Sequence, residues 1–287
     1  MPEYPEVTII TEQLNKKILN KTIKNVQINV SKIIKNVPLD DFVKSVTNKK
    51  IIQIQNYGKF ITIYLDDNSK MVIHLRMSGM FYVVEQQHLD DLKKIVNHII
   101  VEFYLSENLC FVFVDPRMFG SIEYFANTDK RSVYEIKKLA KLPKDVDIDT
   151  LYEKLQRKSI SIKAALLDQQ LVLGIGNIYA DESLFASKIY PMIKCNKVTK
   201  EQLKELLKNA QIIMDDSIKA GGSTVHTYAS VNGVVGHYQN YLRVYSRSNK
   251  RCLVCKEGIV QKVKLDFKPN GRGTSFCPVC QKEQQDE

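Results

Sequence analysis

The chain has 287 residues, 44% of them hydrophobic, with 42 Lys and Arg against 32 Asp and Glu for a formal net charge of +10. That length buries a sizeable core, most naturally in two domains. No run of 18 apolar residues occurs and the acidic start is no secretory signal, so a membrane helix is excluded and a soluble, cytoplasmic protein with no membrane partner is expected. The charge is uneven. Residues 1–131 hold 17 basic against 15 acidic side chains, the remainder 25 against 17, and between Gly221 and Cys280 nine basic residues face only Glu257 and Asp266. Such a local excess suits a polyanion such as nucleic acid, although it also serves solubility.

The chain opens Met1-Pro2-Glu3-Tyr4-Pro5-Glu6. Removal of Met1 ahead of the small Pro2 is expected to leave proline as the mature N-terminus. Its secondary amine, with an ordinary α-amino pKa of about 8, is partly free base at neutral pH. Such an amine attacks a sugar aldehyde carbon to give an iminium ion, with Glu3 and Glu6 within one helical turn for proton transfer. The same residues also suit an ordinary helix start. Val7, Ile10, Leu14 and Ile18 then follow helical spacing and predict an amphipathic helix over 4–19.

Beyond it the period becomes two, in Val26/Ile28/Val30, Ile61/Ile63/Leu65, Val101/Phe103/Leu105 and Phe111/Phe113, with turn signals at Asp66-Asp67-Asn68 and Ser106-Glu107-Asn108. Residues 20–125 therefore read as an antiparallel β-sandwich carrying the first helix, and 127–132 as a polar linker. Helical signals dominate from there to Ala220. Thr199-Lys200-Glu201-Gln202 has capping-box form, and Gly174-Ile175-Gly176-Asn177 is a turn between helices whose glycines let backbone N–H groups approach a phosphate, or simply join the helices. Gly221-Gly222-Ser223-Thr224 opens a stretch to Tyr238 without clear period, expected to be a mobile loop.

Cys252-x-x-Cys255 and Cys277-x-x-Cys280, 21 residues apart, form a tetrahedral four-cysteine pattern in a C-terminal β-hairpin, expected to hold one structural zinc ion. Two disulfides are the alternative, disfavoured inside a cell. Cys110 and Cys195 read as small buried hydrophobes. Glu283–Glu287 reads as a loose acidic tail.

Pro2-Glu3-Tyr4-Pro5-Glu6-Val7, Gly58-Lys59-Phe60, His74-Leu75-Arg76-Met77-Ser78-Gly79, Asp115-Pro116-Arg117-Met118-Phe119-Gly120, Gly174–Glu182, Gly221–Thr224, Tyr245 and Gly271-Arg272-Gly273-Thr274 occur in this order. Together they resemble the bacterial formamidopyrimidine-DNA glycosylase family over essentially the whole chain. Tyr4, where Leu is usual, and Met118, where a basic residue is common, depart from it without touching the proposed chemistry.

The resemblance implies an α+β protein in three parts: an N-terminal catalytic lobe of helix plus β-sandwich (1–130), a helix-two-turn-helix DNA-binding lobe with a lesion-recognition loop (131–240), and a zinc finger (241–287). It implies removal of oxidised purines, chiefly 8-oxoguanine opposite cytosine and formamidopyrimidines, from double-stranded DNA held between the lobes. Strand cleavage at the abasic site by β,δ-elimination follows. Pro2 resembles the nucleophile and Glu3 the acid/base, while Lys59 and Arg272 match positions of phosphate contact and proton transfer. A permanently charged guanidinium acts chiefly by gripping phosphate. Met77, Arg117 and Phe119 match a triad that fills the void of the flipped base, although Met77 and Phe119 also suit a sandwich core. His74, Asn177 and Tyr179 match backbone contacts. His98 and Lys158 lie in poorly matching stretches, and Glu6 either orients the base or is a plain first-turn acid. A monomer associated with the nucleoid is expected. The rivals are the endonuclease VIII branch, which prefers oxidised pyrimidines, and a non-catalytic zinc-finger binder of damaged DNA, which would be expected to lack Pro2 or Glu3.

Overall fold

The computed structural model describes residues 2–224 and 231–283. Met1, the middle of the 221–238 stretch and the end of the acidic tail lie outside the described residues. Two units form: Met1–Ile136 with Ala220–His237, and Lys137–Lys219 with Tyr238–Glu287.

In the first unit the opening helix, α1 (Tyr4–Ile18), carries Glu6 in its first turn and Lys16 and Lys17 in its last, as the macrodipole favours. Val7, Ile10, Leu14 and Ile18 are buried, the expected apolar stripe. Ten elements follow: β1 (Ile23–Ile28), α2 (Leu39–Val46), β2 (Ile51–Tyr57), β3 (Phe60–Leu65), β4 (Lys70–His74), β5 (Met80–Glu85), α3 (Leu89–Ile95), β6 (Ile99–Leu105), β7 (Leu109–Val114) and β8 (Ser121–Phe125). The strands make two antiparallel four-stranded sheets, β1-β6-β7-β5 and β2-β3-β4-β8. Phe81, Phe103, Phe111 and Phe113 pack in the core with Ile61, Ile63 and Leu65, the Phe103 and Phe111 rings stacked at 5.5 Å. This is the expected sandwich with its helix.

Two short helices interrupt the stretch read as all β. Helix α2 follows Pro38 and buries Phe42 and Val46. Helix α3 buries Leu89 and Leu92 against Cys110, Val112 and Val114 on β7. That cover explains why β7 is buried on both faces and loses a clean alternation. Cys110 is in the core as expected, and burial pushes its thiol up to about 12.

The second unit is helical up to its C-terminal hairpin. It contains α5 (Ile148–Gln156), α6 (Ile162–Leu167), α7 (Asn177–Ala186) and α8 (Lys200–Lys219), after a short α4 (Val133–Lys137) that enters it. The Thr199 capping box forms: Gln202 N–H donates to Thr199 Oγ1 at 3.1 Å and Thr199 N–H to Gln202 Oε1 at 2.9 Å. Helix α7 is buried from Ile178 to Phe185, a core element and not a surface helix. Strands β9 (Gln261–Lys264) and β10 (Gly273–Phe276) pair antiparallel, Gly273 opposite Lys264, as the hairpin expected between the two cysteine pairs.

The division differs from the expected three parts. Residues 220–224 and 231–237 group with the first unit, which supplies partners for the backbone of Ser223 and Val231, and the cysteine hairpin groups with the second unit instead of standing apart. No helix among the described residues is long and apolar enough to cross a membrane.

Candidate functional site

The N-terminus of the first unit is locked by one carboxylate. Glu3 occupies the N-cap of α1 and its side chain accepts the Glu6 N–H, while Glu6 Oε2 accepts the Glu3 N–H at 2.9 Å. The other Glu6 oxygen, Oε1, accepts the Ser223 N–H at 2.9 Å. Glu3 and Glu6 are 3% and 1% exposed, and Pro2 is buried beside them. Thus Glu6 is more than a first-turn acid: it ties the main chain behind the N-terminal nitrogen to Gly221–Thr224.

That segment is held in turn. Gly236 N–H donates to Thr224 Oγ1 at 2.8 Å and His237 N–H to the Ala220 carbonyl at 3.1 Å. The two arms run so close that a Cβ on Gly236 would lie 2.3 Å from the carbonyl oxygens of Gly221 and Gly222, so only glycine fits there. On the returning arm, Val231 N–H donates to Gln13 Oε1 at 2.8 Å. Asn232 accepts the Val83 N–H at 2.7 Å and donates to the Val83 carbonyl at 3.0 Å, satisfying the edge of β5.

Lys59 sits in the β2–β3 turn after Gly58, 8% exposed, and His74 ends β4, 7% exposed. The His74 ring stands edge-on to Phe60 at 4.8 Å and its Nδ1 accepts the Arg76 N–H at 2.9 Å, which places the ring proton on Nε2. Met77 and Phe119 are 41% and 58% exposed, so neither is the core residue that the plain sandwich reading allowed. Arg117 Nη1 lies 3.5 Å from Met77 Sδ.

Asp115, which opens one of the motifs but was given no role by them, organises this pair of loops. It is fully buried; Oδ1 accepts the Ser78 hydroxyl and the Arg117 N–H, and Oδ2 accepts the Gly120 N–H at 2.7 Å. Its own N–H donates to the His98 carbonyl at 3.1 Å, His98 being held at φ 63. His98 therefore supports the loop through its main chain while its side chain is exposed. The available signal was an acid flanking an apolar strand, which must be satisfied if buried.

In the second unit, Asn177 opens α7 and its Nδ2 donates to the Gly273 carbonyl at 3.0 Å; its Oδ1 is buried with no hydrogen-bond partner among the described residues. Tyr179 is wholly buried, its hydroxyl 2.6 Å from Ser217 Oγ, and so it joins α7 to α8 without presenting a surface. Lys158 follows α5, half-buried.

Three further residues were missed. Lys163, fully buried, pairs with Asp181 at 2.6 Å and donates to the Gly273 carbonyl at 2.9 Å and Thr274 Oγ1 at 3.0 Å. Asp181 Oδ2 accepts the Ser275 N–H at 2.9 Å; burial pushes this carboxyl up to about 7 while Lys163 opposes the shift. Glu182 accepts the N–H groups of Arg243, Val244 and Tyr245 at 2.8, 2.9 and 2.8 Å. Adjacent acids on α7 thus clamp strand β10 and the segment leading into the cysteines. Arg272, just ahead of β10, is exposed.

The four hairpin cysteines place their sulfurs within 4.8 Å of one another. Cys252–Cys280 and Cys255–Cys277 are each 3.8 Å apart, too long for disulfides. A tetrahedron with metal–sulfur bonds of about 2.3 Å has edges of about 3.8 Å, so the cluster fits a tetrahedral thiolate-bound metal. Thiols this close cannot all ionise without a cation: the Gly258 N–H holds Cys255 down to about 7, while burial pushes Cys280 up to about 12.

Residues 1–122 match the formamidopyrimidine-DNA glycosylase N-terminal domain and residues 139–229 the formamidopyrimidine-DNA glycosylase H2TH domain. The chain is 40% identical to a formamidopyrimidine-DNA glycosylase of Mycoplasma mobile, covering 98% of this chain and 99% of that one. It is 41% identical to one of Mycoplasmopsis pulmonis, covering 99% of each. Among solved structures, the complex between the Lactococcus lactis Fpg and an abasic-site DNA superposes with a TM-score of 0.89 at 31% identity, over 98% of this chain and 100% of that chain. The wild-type Lactococcus lactis enzyme with an N7-benzyl-Fapy-dG DNA gives 0.88 at 30%, over the same shares.

Proposed function

The chain belongs to the formamidopyrimidine-DNA glycosylase family, and on that premise we propose that the mature N-terminal nitrogen of Pro2 is its nucleophile. It is a base-excision DNA glycosylase for oxidised purines, a glycosylase/AP lyase of the helix-two-turn-helix class. The observation that carries the assignment to Pro2 is the lock around it: a buried Pro2, a buried Glu3 and a Glu6 carboxylate fastening both to Ser223.

In this reading the damaged nucleotide leaves the stack at a cost of a few kcal/mol. Met77 and Phe119, exposed apolar side chains, fill the gap, and Arg117 donates to the orphaned cytosine. The Pro2 nitrogen bonds to C1′ as the glycosidic bond breaks toward the base, which takes up a proton. Loss of the amine proton leaves a neutral aminal, and the C1′–O4′ bond then breaks, O4′ taking up a proton, to give the open-chain iminium ion. Glu3 relays protons as the sugar ring opens. Removal of a C2′ proton then expels the 3′ phosphate, and a second elimination expels the 5′ phosphate. Lys59, His74, Asn177 and Arg272 grip phosphates, and Tyr179 holds the helix that Asn177 opens. His98 and Glu6 act as supports, and Lys158 adds charge.

The metal of the four-cysteine site is zinc, whose preference for four thiolates in a tetrahedron matches the sulfur spacing. Cys252, Cys255, Cys277 and Cys280 would hold it, and it would fix the hairpin that carries Arg272. We place the protein in the cytoplasm at the nucleoid, acting as a monomer.

Borohydride reduction during turnover tests the reading. An 8-oxoguanine·cytosine duplex should yield a covalent protein–DNA adduct, and a thymine glycol duplex little. The reverse preference would move the chain to the oxidised-pyrimidine branch. Binding without any adduct would make it a non-catalytic binder.

A further inference from the structure

The hairpin of the second unit ends in a feature that the phosphate grip does not need. Between β9 and β10 the chain makes a tight, hydrogen-bonded tip: Leu265 N–H donates to the Arg272 carbonyl at 2.8 Å, Lys268 N–H to the Leu265 carbonyl at 3.2 Å, and Gly271 N–H to the Lys268 carbonyl at 2.8 Å. A Cβ on Gly271 would lie 2.4 Å from the Leu265 oxygen, so the tip closes on glycine. Leu265 is buried and anchors it.

Phe267 stands on this ordered tip, 69% exposed. At the other end of the same hairpin Phe276 is 5% exposed and packs edge-on to Tyr190 at 5.3 Å. Asp266 and Phe267 take φ values of 52 and 54. The left-handed region is tolerable for Asp but an outlier for a bulky ring, and such strain persists where something other than local stability selects it. The hairpin that carries the ring is cationic: Lys262, Lys264, Lys268 and Arg272 are all exposed on it, with Asp266 its one acid. An exposed ring among cations is how proteins hold nucleic acid, the cations tracking phosphates and the ring packing on a base or sugar face.

We infer that Phe267 is a DNA-contacting residue, its ring packing against the sugar and base of a nucleotide beside the phosphate that Arg272 holds. The inference rests on the reading of Arg272 as a phosphate grip. The contact adds an apolar, salt-insensitive component to a surface otherwise made of charge.

The chain contains no tryptophan, so Phe267→Trp introduces a single indole reporter at the tip. Titration of that variant with a duplex carrying a tetrahydrofuran abasic-site analogue opposite cytosine should quench its emission, with an affinity within about threefold of wild type. Phe267→Asn removes the ring while suiting the left-handed backbone. It should melt at or above the wild-type temperature, retain its metal, and bind the duplex about fivefold to a hundredfold more weakly, the range of one base–aromatic stack. The slope of affinity against salt should not change. Indole emission indifferent to DNA, or wild-type affinity in Phe267→Asn, would overturn the inference. Arg272→Ala run in parallel separates the two readings: wild-type affinity there would refute the phosphate grip, whatever Phe267 does.

Discussion

Glu6 shows how a residue's position can hide its work. In sequence it is an acid in the first turn of a helix; in the structure its two oxygens accept two main-chain N–H groups, that of Glu3 directly behind the N-terminal nitrogen and that of Ser223, 217 residues along the chain from Glu6. Glu6→Gln replaces one acceptor oxygen by an amide that faces an N–H donor. Leaving a buried donor unmet costs about 1–3 kcal/mol. We expect the variant to lose that much thermal stability and to excise 8-oxoguanine more slowly in single turnover, while still binding duplex. A variant with unchanged melting and excision would show that the bridge carries nothing. Arg117 is the second residue-scale case. Its guanidinium reaches out beside the Met77 sulfur, on a loop fixed by buried Asp115. Arg117→Ala should lose more activity opposite cytosine than opposite the other bases, by about 1–3 kcal/mol for one good base contact. Equal losses opposite all four partners, in excision rates measured on matched duplexes, would make Arg117 a space-filler.

At the scale of elements, what was legible followed from period and spacing. The stripe Val7/Ile10/Leu14/Ile18, the alternating strands and the Thr199 box each state their structure locally, so α1, the sandwich and the start of α8 were readable. The short helices α2 and α3 were not, because seven or eight residues give an apolar stripe too brief to stand out against strands on either side. Nor were Asp115, Lys163, Asp181 and Glu182. Each is a charged side chain whose meaning depends on partners far away in the chain, as when Lys163 reaches Gly273 or Glu182 takes up Arg243 to Tyr245. No local pattern encodes those pairings. The cysteine hairpin lay between these extremes. Its ligands were legible from spacing, its fastening to α7 was not. That fastening bears on a prediction. Cys277 is packed with Phe185, Val244 and Val260, and its N–H is taken by Gln281, which also donates to the Ile189 carbonyl at 2.8 Å. Cys277→Ser should release the metal and abolish tight DNA binding while the β-sandwich remains folded, since metal binding is folding energy for so small a module. Metal content by atomic absorption, circular dichroism and duplex affinity check this together; near-normal affinity after verified metal loss would contradict it.

Across the whole molecule the formal charge of +10 is carried mostly by the second half of the chain, whereas the proposed nucleophile and its carboxylates belong to the first unit. Binding and chemistry should therefore separate. If Lys59, Arg272 and their basic neighbours neutralise phosphates, log K for duplex falls linearly with log salt, by about 0.9 per phosphate neutralised. Affinity that stayed flat between low and physiological salt, in equilibrium titrations, would rule out this electrostatic grip. The chemical step is different. It requires a free N-terminal amine at Pro2, and nothing in the basic surface can replace it. The most direct test is to reduce the reaction with borohydride on an 8-oxoguanine·cytosine duplex, digest the trapped adduct, and map by mass spectrometry the atom that carries the sugar. The account predicts attachment to the N-terminal peptide at the Pro2 nitrogen, and no adduct from protein that retains an N-terminal extension. Attachment at a lysine, or full trapping by the extended protein, would contradict it.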